Sequence, residues 1–147
     1  MVGLVGPNEP GTNGEAVAFG AGSADSVPYD GLVNRANYFA DQLQGVRVKL
    51  GGNMYIAPAA FNLTNRSPGH DDAKEYLARS LNYNLFDYLA GNTYNTDGQS
   101  AYHYYEESGA KQAVDSNGLK MIITEFGKFS GTDKDLKDAF MQFCGDT

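Results

Sequence analysis

The sequence predicts an α/β fold, a parallel sheet made of four βα units, and three observations carry the prediction. Short apolar runs alternate with stripes of helical period along the whole chain, with no internal repeat. The run Leu119-Lys120-Met121-Ile122-Ile123 is almost continuously apolar, as strands covered on both faces of a parallel sheet are. A chain of 147 residues, 41% of them hydrophobic, can bury one modest core, so residues 1–147 form one domain. Right-handed crossovers between such strands put every strand's carboxyl end on one rim.

Val2, Leu4 and Val5 supply the first strand. A Gly-rich loop from Gly11 to Pro28 follows, long for a βα connection and of the kind that builds binding clefts. Asp30 is placed to cap a helix with the stripe Leu32, Val33, Ala36, Phe39, Ala40 and Leu43, ended by Gly45. Two runs compete for the second strand: Val46-Arg47-Val48-Lys49-Leu50, which alternates, and Met54-Tyr55-Ile56-Ala57. Asp71 or Asp72 caps a helix carrying Ala73, Tyr76, Leu77, Ser80 and Leu81, and the third strand covers Leu85 to Ala90. A third helix starts near Ser100 and Ala101, with Tyr104, Tyr105, Ala113 and Val114 inward and Gly109 weakening its middle. The fourth strand is Leu119 to Ile123. Thr132 and Asp135 resemble a capping box that opens a last helix with Leu136, Ala139, Phe140 and Phe143 inward.

Composition narrows the function. A net charge of −7 and a pI near 4.6 argue against nucleic acid as a partner, since phosphate binding needs clustered Lys and Arg. The apolar runs are too short to cross a bilayer. Cys144 stands alone, and His70 and His103 have no ligand spacing, so neither a metal nor a cofactor is expected. A neutral substrate suits such a surface.

Two carboxylates stand where short apolar strands end: Glu9 in Val5-Gly6-Pro7-Asn8-Glu9-Pro10-Gly11, and Glu125 in Ile122-Ile123-Thr124-Glu125-Phe126-Gly127. A strand end delivers a side chain to the rim of a sheet, and glycoside hydrolysis needs two carboxyl groups flanking one bond. Either glutamate alone could be an ordinary solvated strand-end residue; their order, separation and context raise the signal.

Together the two motifs resemble the clan of retaining (β/α)8-barrel glycoside hydrolases, the cellulase-like and related β-glycanase and β-glycosidase families. In that clan an Asn-Glu pair closes strand four and carries the acid/base, and a Thr-Glu-Phe-Gly type of run closes strand seven and carries the nucleophile. Met54 to Pro58 with the loop Ala59-Ala60-Phe61-Asn62 looks like strand five, which decides between the two competing runs. Phe86-Asp87-Tyr88-Leu89-Ala90, running into Asn92-Thr93-Tyr94-Asn95, looks like strand six. The resemblance spans nearly the whole chain but covers strands four to seven only, which implies a partial TIM (β/α)8 barrel.

The resemblance further implies that Glu125 is the nucleophile and Glu9 the acid/base, about 5 Å apart, acting on a β-linked oligo- or polysaccharide. Asn8 matches the residue that hydrogen-bonds the sugar 2-hydroxyl, and Tyr94 the tyrosine that hydrogen-bonds the nucleophile. Asn62 falls on the same rim, and Phe61, Phe126 and Phe129 lie at strand ends where a sugar could reach them. Secretion is the family's habit. The sequence departs from the pattern in having no Trp, in lacking strands one to three and eight, and in placing Asn92 where a histidine often sits. Met1 falls at the first strand, so the start reads as a truncated frame or an excised fragment. Four strands with two open edges expose the inward faces of Leu4, Ile56, Phe86 and Ile122, so the chain is expected to be a homodimer or part of a larger chain. The alternative function is a non-catalytic carbohydrate-binding or inert barrel fragment.

Overall fold

The structure, a computed structural model, describes residues 2–6, 8–9, 29–64, 72–95, 99–128 and 132–146. The loop from Gly11 to Pro28, Pro10, Asp71, His70 and Phe129 lie outside the described residues. The elements run β1 (Val2–Val5), α1 (Tyr29–Lys49), β2 (Met54–Ala57), β3 (Ala60–Asn62), α2 (Asp72–Leu77), a 3-10 turn (Tyr83–Leu85), β4 (Tyr88–Asn95), α3 (Ala101–Glu107), α4 (Ala110–Asn117), β5 (Lys120–Lys128) and α5 (Asp133–Asp146).

The architecture is mixed α/β with parallel strands in two small sheets, one of β1 and β2 and one in the order β3, β4, β5. The two sheets meet where the chain passes directly from β2 through Pro58 and Ala59 into β3. Asn8 makes a parallel bridge to Ala60, and the Glu9 N–H donates to the Ala60 carbonyl at 2.7 Å. Lower down, the Asp87 N–H donates to the Ile56 carbonyl at 2.9 Å and the Lys120 N–H to the Asp87 carbonyl at 3.2 Å. The segment expected as the loop after the second strand, Ala59 to Asn62, is therefore mostly a strand itself.

Met54–Ala57 is a strand, and Val46 to Lys49, for all its alternation, completes the helix α1. Gly45 does not end that helix. Two side chains of its last turns have tertiary partners: Gln44 donates to the Leu85 carbonyl at 3.3 Å, and Arg47 forms an ion pair with Asp87. Such contacts outweigh the roughly 1 kcal/mol that an interior glycine costs. The helix stops instead at Gly51 and Gly52, both at positive φ (62° and 76°), with the Gly52 N–H closing back on the Arg47 carbonyl at 3.1 Å. At its other end Asp30 sits inside the first turn rather than capping it.

The expected third helix is two, broken at Ser108 and Gly109. The helix expected to reach Leu81 ends at Leu77, and the third strand begins at Tyr88 rather than Leu85 because Tyr83–Leu85 forms the 3-10 turn. The Thr132 and Asp135 box closes in both directions: the Thr132 N–H donates to the Asp135 carboxylate at 2.7 Å, and the Asp135 N–H to the Thr132 hydroxyl at 3.3 Å.

One core lies between the helices and the sheets, filled by Leu32, Val33, Ile56, Phe61, Tyr76 and Leu89 among others. Phe39 on α1, and Leu136 and Phe140 on α5, remain substantially exposed instead of being buried in it. The opposite face of the sheets carries Ala57, Ala60 and Ala90, with Tyr88 packed against them. Residues paired in register share a face, so Val5 joins Ala57 there and Ile122 joins Ala90. Leu4, Ile56 and Phe86 face the other way, lining a cavity of about 510 Å³ against α1. The expectation that they share a face with Ile122 was off by one position of strand parity. Nor is β5 buried on both faces: it is an edge strand, and Ile122 is 37% exposed.

Candidate active site

The carboxyl ends of β3, β4 and β5 converge with the segment after β1, and Asn92 is the residue on which they meet. Its side chain is fully buried. The amide nitrogen donates to the Glu9 carboxylate at 2.9 Å and to the Asn8 side-chain oxygen at 3.1 Å, while its oxygen accepts the Thr124 hydroxyl at 2.6 Å. Two acceptors on one side and a donor on the other fix which end of the amide is nitrogen.

Glu125 stands beside Asn92 on β5. The pairing of β4 with β5 shifts register between Gly91 and Asn92, so Ile123 partners Gly91 and Glu125 partners Asn92, leaving Thr124 as an extra residue. A bulge of this kind re-aims side chains. Here it lets the consecutive residues Thr124 and Glu125 both serve the Asn92 face. Two residues along β4, the Tyr94 hydroxyl donates to the Glu125 carboxylate at 2.5 Å. Tyr94 can lie that close to β5 because position 127 is glycine: a Cβ there would come within 2.7 Å of the Tyr94 ring. The Thr-Glu-Phe-Gly run thus acquires physical meaning residue by residue: Thr124 orients Asn92, Glu125 receives Tyr94, and Gly127 clears the ring.

Glu9 is held unusually. Its φ of 41° makes it the one non-glycine at positive φ among the described residues, a conformation that costs of order 1 kcal/mol or more and clusters at functional sites. The Ala60 carbonyl fixes its backbone and Asn92 its side chain.

Electrostatics ties both carboxylates to Tyr94. Its phenol is pushed far above the ordinary tyrosine range, first by burial, then by the hydrogen bond to Glu125, then by the negative charges of Glu125 and Glu9. Burial also raises Tyr83 and Tyr105. Tyr94 therefore stays a protonated donor at any working pH. Because the folded protein holds this proton more tightly than the unfolded chain, the stability linked to it is fully present below about pH 10 and falls as pH rises beyond that. Alkaline difference spectroscopy is expected to resolve a late class of tyrosines, and Tyr94→Phe to remove one member of it. An unchanged late amplitude would refute the assignment.

The remaining expected residues divide. Asn62, in register with Asn92, lies on the rim and accepts the Thr64 N–H at 3.0 Å; the Thr64 hydroxyl in turn accepts the Tyr94 N–H at 3.0 Å. Its observed role is to shape the strand end that carries Tyr94. Phe126 is turned the other way, with its ring 5.3 Å from Phe140 and 5.7 Å from Phe143 on α5; neighbours on a strand alternate faces, so it cannot share the site with Glu125. Phe61 is likewise buried, edge-on to Tyr76. His103 sits on α3 against Glu107 at 3.2 Å. What sequence reasoning missed is the centrality of Asn92, noted only as a departure from a histidine pattern.

No family model, no curated protein and no solved structure matches the chain.

Proposed function

We propose that the chain is the part of a retaining β-glycoside hydrolase that carries both catalytic glutamates, corresponding to strands four to seven of a (β/α)8 barrel. The lateral sequence of β1, then β2 with β3, then β4, then β5, all parallel, supports the barrel reading. The observation that carries the function is the placement of the two carboxylates. Glu9 is hydrogen-bonded by Asn92, and Glu125, the register partner of Asn92 on β5, accepts the hydroxyl of Tyr94, two residues along from Asn92.

In this reading the Glu125 carboxylate attacks the anomeric carbon while the glycosidic C–O bond breaks and Glu9 gives its proton to the leaving oxygen. Water then attacks the glycosyl ester, Glu9 takes a proton from it, and Glu125 leaves as carboxylate. Tyr94 holds the Glu125 carboxylate in place, and Asn8 is the residue offered to the sugar 2-hydroxyl. The substrate is a neutral β-linked oligo- or polysaccharide. The direct test is covalent trapping: a 2-deoxy-2-fluoro glycoside with an activated leaving group should add one sugar to the protein, at Glu125, read by peptide mass spectrometry. No adduct across a panel of sugars, or an adduct elsewhere, refutes the reading.

The open sheet face bears on assembly. Val5 and Ile122 are 42% and 37% exposed there, and β1 and β5 are sheet edges. Exposed edges of this kind pair with other strands. A second copy or further barrel segments are the fitting cover, and light scattering is expected to find a dimer or larger species whose melting temperature rises with concentration. A monodisperse monomer with a sharp melt contradicts this.

A further inference from the structure

We infer that Asn92 is a positioning residue that fixes the orientation of Glu9, with Thr124 setting Asn92 in turn; the inference rests on the reading of Glu9 as the acid/base. The amide has two hydrogens, and both are engaged, one by Asn8 and one by Glu9 Oε1. Its oxygen is engaged by the Thr124 hydroxyl, so the amide cannot turn over without setting its oxygen against two acceptors. Every polar atom of a fully buried side chain is thus spent on holding the groups around it.

One consequence follows for Glu9: the amide hydrogen on Oε1 fixes the direction of its carboxyl group, and proton transfer to a leaving oxygen needs a fixed direction. Among the described residues, the Tyr94 phenol on β4 feels the charge of Glu9 and also that of Glu125 on β5; β3 contributes the Ala60 carbonyl, which accepts the Glu9 backbone N–H.

The test is the titration of Glu9 itself, by NMR of protein labelled at the glutamate carboxyl carbons, with the Glu9 signal assigned by its loss in Glu9→Gln. Asn92→Asp replaces the neutral donor by a like charge and should raise the Glu9 midpoint by about one pH unit or more. Thr124→Val keeps the shape of an exposed rim residue but removes the donor to the Asn92 oxygen, which loosens the amide that holds Glu9, and should move the midpoint the same way by less. If Asn92→Asp does not fold, Thr124→Val decides. A Glu9 midpoint that stays put in the folded variants overturns the inference. Where glycosidase activity is measurable, the alkaline limb of kcat/KM should move with the NMR midpoint. Midpoints that shift in a protein that turns over no glycoside would uphold the role of Asn92 and sink the acid/base reading instead, so the two failures are distinct.

Discussion

Glu125→Ala is expected to lower kcat by about four orders of magnitude or more, the scale on which loss of a covalent nucleophile is felt. Glu9→Ala is expected to cost about 10²- to 10⁴-fold, and to depend on the substrate. The asymmetry comes from the chemistry. On the proposed reading, without Glu125 no group attacks the anomeric carbon, whatever the leaving group. Without Glu9 the leaving oxygen goes unprotonated, which matters greatly for a sugar alcohol and little for an acidic phenol. A series of aryl glycosides of graded leaving-group acidity separates the two roles. External azide separates them further: in Glu9→Ala it attacks the glycosyl ester and gives a product of retained configuration, whereas in Glu125→Ala it enters from the vacated side and gives an inverted one. Full activity in either variant, or the same leaving-group dependence in both, would remove the assignment.

The strand ends were less legible than the strands: β5 was expected to end at Ile123 and runs to Lys128, and β4 was expected to end at Ala90 and runs to Asn95, so Glu125 lies within β5 and not at its end. The core of β5 was legible because its composition is extreme, whereas Met54–Ala57 was chosen over the alternating run before it only on the family resemblance. Failures fell where tertiary contacts override local pattern. Val46 to Lys49 alternates like a strand, yet is helical because Gln44 and Arg47 reach Leu85 and Asp87 across the fold. Phe126 was misplaced because β5 was expected to end at Ile123; since the strand continues to Lys128, ordinary alternation turns the residue after Glu125 to the other face. Asn92 escaped notice for a different reason. An asparagine in a strand has no chemistry of its own to announce it, and its importance lies in three partners drawn from segments as many as 84 residues away.

Phe61→Ala is expected to cost about 3–5 kcal/mol in unfolding free energy, the range for truncating a buried aromatic whose surroundings cannot collapse into the gap. Phe61 is fully buried, with its ring centroid 4.8 Å from that of Tyr76 at an interplanar angle of 60°. Tyr76 is 1% exposed and belongs to α2, a helix of six residues that cannot hold its own shape in water and depends on this packing. Against a typical total of 5–15 kcal/mol the loss takes a large share of the stability. Urea unfolding at constant m-value measures it, and a change below about 1 kcal/mol would mean that β3 and α2 do not pack as described. Phe61→Leu, which keeps most of the volume, should recover much of the loss. The position also joins fold to function. Phe61 lies between Ala60, whose carbonyl holds the Glu9 backbone, and Asn62, which shapes the strand end under Tyr94. Loosening β3 therefore disturbs the mounts of both carboxylates at once, and under conditions where Phe61→Ala remains folded its kcat should fall more than its stability alone would dictate.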